Sequence, residues 1–102
     1  MPKFQSPSEN AEVARRLRTL RHVISGENQT AFAQRIGIEV QRWNNFERGL
    51  PLSKPVAFLL VGQVPGLTLD WLFLGVEDGL PIKLQRELVE ALKSTTAKGG
   101  RA

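Results

Sequence analysis

The residues with the clearest chemical potential stand in one stretch, Gln29 to Gly49. Val40, Gln41, Arg42, Asn44 and Asn45 form a run whose types suit the edges of base pairs. Glutamine and asparagine can meet adenine N6 and N7 bidentately, arginine suits guanine O6 and N7 or a phosphate, and valine can touch a thymine methyl. A good bidentate contact discriminates between bases by about 1–3 kcal/mol. Upstream, Gln29 and Thr30 open a helix, and a helix N-terminus offers side-chain donors and backbone N–H groups to a phosphate oxygen.

These side chains act together only if the chain presents them on one surface. Asn28 caps a helix whose inward residues are Phe32, Ala33 and Ile36, and Gly37 stops it. The small Ala33 lets a second helix pack across the first, and Ile38 plugs the corner past the turn. The second helix, about 39–47 and stopped at Gly49, buries Trp43 and Phe46 and leaves Val40, Gln41, Arg42, Asn44 and Asn45 pointing outward. Two short helices across a tight turn, the second exposed, is the plan by which a helix enters the major groove.

The remaining punctuation predicts an all-α chain. Ser6-Pro7-Ser8-Glu9 reads as a capping box opening a first helix, with Val13, Leu17, Leu20 and Ile24 on one stripe and an end near Ser25-Gly26. Ser53 caps a fourth helix, Lys54 to about Val64, closed by Pro65-Gly66. Thr68 caps a short fifth, Leu69 to Leu74, closed by Gly75. A sixth is expected from about Pro81 to Lys93. No segment alternates with period two. Trp43, Phe46, Phe58, Leu59, Leu60, Trp71 and Leu72 are expected in the core.

Composition narrows the function classes. The 102 residues allow one domain, with 14 Lys plus Arg against 10 Asp plus Glu for a net +4. Residues 1–50 carry +3 of that and the remainder +1, so the excess sits with the candidate base-reading segment. Cysteine is absent, which excludes disulfides and thiolate metal sites and suits a reducing compartment. The longest apolar run, Val56 to Val61, is too short to span a membrane, and Met1 to Gln5 lacks the apolar stretch of a signal peptide. A cytoplasmic, nucleoid-associated location is expected. The lone His22 reads as a surface histidine, and neither a metal site nor a cofactor is expected.

At this point the chain resembles the Xre-like helix-turn-helix domain of lambdoid phage repressors and Cro proteins. The resemblance rests on Arg16-Leu17-Arg18-Thr19-Leu20-Arg21, on Gln29 to Ile38, on Glu47-Arg48-Gly49 and on Gly66-Leu67-Thr68-Leu69-Asp70-Trp71-Leu72, and covers Val13 to Gly75. It implies a compact five-helix, lambda-repressor-like DNA-binding domain over 7–76 with an additional C-terminal helix at 80–93, between a flexible N-terminus, 1–6, and a disordered tail, 94–102. It places the phosphate-binding glutamine on Gln29, the base-reading positions on Val40, Gln41 and Asn45 with Arg42 and Asn44 beside them, and a backbone contact on Arg48. Arg42 is a phosphate candidate as well. It also implies a buried ion pair between Arg21 and Glu47.

The resulting expectation is a sequence-specific transcriptional regulator, a repressor, acting as a homodimer on a palindromic double-stranded DNA operator. One small domain contacts one half-site, so a dimer is needed. The apolar stripe Leu84, Leu88 and Leu92 either folds back on its own core or forms the dimer interface, and the second use is favoured. Arg15, Arg16 and Arg18 are either DNA contacts or a solvated face or dimer rim. The alternative function is a protein-interaction module of the same fold, an antitoxin or anti-activator. It draws on the modest charge and on Glu39, a carboxylate that suits a helix N-terminus but repels phosphate. An enzyme is not expected, because no nucleophile–base pair, carboxylate pair or phosphate-cradling glycine loop can be assembled.

Overall fold

The computed structural model describes residues 7–26 and 28–101, with side chains described for 8–26 and 28–93. Its described residues form six helices and no strand: α1 Pro7–Ile24, α2 Gln29–Ile36, α3 Val40–Glu47, α4 Lys54–Gln63, α5 Leu69–Leu74 and α6 Ile82–Arg101. No helix among them is long and apolar enough to cross a membrane.

Local chemistry explains where the short helices begin. The Asn28 side chain accepts from Ala31 N at 2.8 Å, Ser53 Oγ from Val56 N at 3.4 Å and Thr68 Oγ1 from Trp71 N at 3.0 Å. Each satisfies an N–H that the first turn of a helix leaves without an internal partner. Replacing Thr68 with alanine is expected to cost about 0.5–2 kcal/mol. A lower melting temperature by circular dichroism checks this, at about 4–8 °C per kcal/mol for a domain of this size. Ser6, the expected cap of α1, lies outside the described residues with the rest of 1–6.

Two glycines fix how elements join. Gly37 has φ +90° and ends α2 in the left-handed conformation, its N–H donating to Ala33 O at 2.8 Å, so the chain turns at once into α3. Gly66 has φ +86°, and a Cβ there would lie 2.5 Å from Pro81 Cγ, so the α4–α5 turn and the lead into α6 touch only because this residue has no side chain.

A single core joins all six helices. Trp43, Trp71, Phe32, Leu17, Leu20, Leu60, Leu72 and Leu88 are its largest fully buried side chains. The Phe32 and Trp43 rings sit 5.0 Å apart and tilted by 54°, locking α2 against α3.

The structure departs from the sequence reading in three places. The stripe proposed as a dimer interface folds back instead. Leu84 is 8% and Leu88 0% exposed, Leu92 packs against the same core, and α6 lies along α1. The physical reason is the breadth of the apolar arc on α1. Ala14 is buried as are Val13, Leu17 and Leu20, and Val23 packs partly buried against the same core. Helices α3 and α5 pack on part of that arc, and α6 covers the rest. Phe58, expected in the core, is 59% exposed, and Leu59 is only half-buried. The backbone of α6 also continues to Arg101, with no proline to interrupt it, through the stretch 94–102 read as a disordered tail. The side chains of that stretch, and residue 102, lie outside the described residues.

Candidate nucleic-acid interface

Helix α3 buries Trp43, Phe46 and Glu47, spaced i, i+3 and i+4 on one side. By the helical repeat, Gln41, Asn45 and Arg48 fall on the opposite side, with Val40, Asn44 and Arg42 on its flanks. Val40, Gln41, Arg42 and Arg48 are exposed, while Asn44 and Asn45 are half-buried. Gln41 Nε2 donates to Asn45 Oδ1 at 3.2 Å, so these two amides already share one orientation one turn apart. Arg42 leans toward the C-terminal end of α3: its guanidinium lies 5.8 Å from the Phe46 ring centroid, and Nη2 donates to Ser53 Oγ at 3.4 Å. Glu39 is exposed at the start of α3 and makes no side-chain cap bond.

Glu47 holds this helix in place. It is 3% exposed, and a buried carboxylate must find donors on the protein. Arg21 of α1 donates from Nε to Oε2 at 2.7 Å and from Nη2 to Oε1 at 3.1 Å, the fork geometry that suits a carboxylate. Gln29 of α2 donates from Nε2 to Oε1 at 2.8 Å, and the indole Nε1 of Trp43 donates to Oε2. The backbone oxygen of Glu47 accepts from Arg18 Nη1 at 2.6 Å. One residue thus ties α1 and α2 to the last turn of α3.

The structure therefore brings Arg21 and Glu47 together and adds partners the sequence reading did not name. Trp43 was read as apolar packing alone. Its position four residues before Glu47, on the same buried side, was the available signal for the indole bond. Gln29 was read as a phosphate ligand. One of its amide N–H groups is committed to Glu47, which leaves the second and fixes where it points. Thr30 is exposed beside it. Gln63 Nε2 donates to Ile36 O at 3.0 Å, closing the end of α2 just before the Gly37 turn, and nothing in the local pattern marked that bond.

The arginine cluster of α1 has separate duties. Arg15 pairs with Glu12 at 3.0 Å on the surface. Arg16 reaches 56 and 57 residues along the chain to donate to Leu72 O at 3.0 Å and Phe73 O at 3.2 Å, which satisfies carbonyls at the end of α5. Burial of Arg16 lowers its pKa, with Glu12 acting in the opposite direction and Arg15 adding to the fall. Arg18 braces α3. Of the three, Arg18 reaches α3 and Arg16 reaches α5, so two of them join α1 to other helices.

His22 is exposed, as expected for a surface histidine. Among the described residues no group of three His, Cys, Asp or Glu could hold a metal ion. A groove between α1 and α5 is lined by the apolar Val13, Leu52, Leu69, Phe73 and Leu74 together with Glu9, Lys54 and Asp70. Comparison with protein-family models, with curated proteins and with solved structures gives no match to this chain.

Proposed function

We propose that the chain is a sequence-specific DNA-binding transcriptional regulator of the Xre-like, lambda-repressor-like helix-turn-helix type. It acts as a repressor and a homodimer on a palindromic operator, with α3 in the major groove. The observation that carries this reading is the clamping of α3. Three buried side chains and the Glu47 network fix the helix against α1 and α2, while amide and guanidinium side chains suited to base edges stand on its outer side. Gln41 and Asn45 then read bases. Gln29, Thr30, Arg42 and Arg48 hold phosphates and supply most of the affinity.

Binding of the chain to mixed genomic fragments at low and moderate salt tests the proposal. Phosphate contacts from cationic side chains release counterions, so affinity is expected to fall steeply as salt rises. No binding at low salt would instead favour the interaction module, whose specific support is the exposed Glu39 at the N-terminus of α3.

A further inference from the structure

Among the phosphate candidates, Arg42 is bonded to the Ser53 hydroxyl and Gln29 to a buried charge. Gln29 is half-buried as the first residue of α2, and its Nε2 donates to Glu47 Oε1 at 2.8 Å. Glu47 has no freedom to adapt to this partner. The Arg21 fork holds both of its oxygens, at 2.7 and 3.1 Å, the Trp43 indole donates to Oε2, and the residue is 3% exposed. An ionised carboxylate accepts and never donates, so the Gln29 amide must turn its nitrogen, not its oxygen, toward Glu47. Its second N–H lies in the same plane and therefore has a set direction. Asn28 takes up Ala31 N, beside backbone N–H groups that the first turn of α2 leaves without internal partners.

We propose that Glu47 is a positioning residue for DNA, acting through Gln29. It sets the Gln29 amide so that the second N–H joins the first-turn backbone N–H groups of α2 on one phosphate. A glutamine free to turn would offer its oxygen, which repels phosphate, as readily as its nitrogen. Arg21 balances the Glu47 charge, so the carboxylate does not itself oppose the phosphate. Glu47 closes α3 and Gln29 opens α2, so one carboxylate fixes the base-reading helix relative to the phosphate held by the other. The inference rests on the reading of Gln29 as a phosphate ligand and deepens it: a buried residue that touches no DNA shapes how DNA is held.

Proton–nitrogen NMR of the native chain supplies the first test. Without DNA, the proton of the Gln29 side-chain amide that faces Glu47 should exchange slowly with water, and the other quickly. A duplex that the chain enriches from a random pool should slow the second as well. The same duplex with a methylphosphonate in place of the phosphate at that point should leave it fast.

Duplexes with a single methylphosphonate moved along the site give the second test. Native affinity should fall at several positions, and Gln29→Ala should remove the fall at one of them. Glu47→Ala, measured where circular dichroism shows it folded, should reduce the fall at that position roughly two- to tenfold, the worth of holding one side chain in place. It should leave unchanged the fall at the phosphate assigned by Arg42→Ala. A role in the fold alone would weaken binding without changing which phosphates matter. If Glu47→Ala folds at no temperature, the spectra of the native chain decide. Fast exchange of both Gln29 protons in the free chain, no slowing of the second on DNA, or an undiminished fall for Glu47→Ala would overturn the proposal and leave base reading by Gln41 and Asn45 standing. A native chain that binds no duplex at low salt would remove the regulator reading, and this proposal with it.

Discussion

Glu47→Ala is expected to cost the domain about 3–5 kcal/mol, the range for removing one partner of a buried, hydrogen-bonded ion pair. The mechanism is the number of donors left behind. Arg21, Gln29 and Trp43 all end on the Glu47 carboxylate, and Trp43 is fully buried, so its indole N–H lies away from bulk solvent. An unsatisfied buried donor loses its hydration without gaining a partner. Glu47→Gln should fall between the two, since one carbonyl oxygen still accepts while the new amide N–H groups face the Arg21 guanidinium. Urea denaturation followed by circular dichroism measures both, and an unchanged midpoint for Glu47→Ala would contradict the role given to this residue. A melting temperature lower by more than about 12 °C is the corresponding thermal result, at about 4–8 °C per kcal/mol.

The same residue shows how far the sequence could be read. The caps at Asn28, Ser53 and Thr68 and the turn at Gly37 were legible because each needs one particular side chain, or none, at one backbone position. The Arg21–Glu47 pair was legible only through a resemblance, since no local rule links residues on two helices. Trp43 was assigned to the core correctly, yet its polar edge was overlooked. That edge is what lets so large a residue sit beside a buried carboxylate.

Period alone could not settle two other matters. Leu84, Leu88 and Leu92 make an amphipathic stripe whether the cover is α1 or another chain. The burial of Leu84 and Leu88 in the same core as Val13, Leu17 and Leu20 decides for α1, whose apolar arc is broader than α3 and α5 cover. In α4 nearly every residue is apolar, so no phase distinguishes the buried side from the exposed one. Phe58 was therefore assigned inward when it points to solvent. The error comes from a helix with more apolar surface than its own fold covers.

The second large effect is expected in recognition. Gln41→Ala combined with Asn45→Ala removes the two amides at the centre of the outer side of α3. Each base contact is worth about 1–3 kcal/mol, about 5- to 150-fold in preference between sites. Stability should hardly change, because neither side chain belongs to the core. Non-specific affinity should persist, since Arg42 and Arg48 retain the charge that meets phosphate. Loss of preference with retained salt-dependent binding separates reading from holding. A single substitution is expected to give a smaller loss, and the shared 3.2 Å bond between the two amides predicts that their effects are not additive.

Enrichment of binding sequences from a random duplex pool tests the central claim most directly. The native chain should enrich a palindrome whose half-sites lie about 10 base pairs apart, and the Gln41→Ala, Asn45→Ala chain should recover DNA with no sequence preference. The same enrichment from both chains, or none from the native chain under low salt, would contradict the assignment of α3 as the helix that reads DNA.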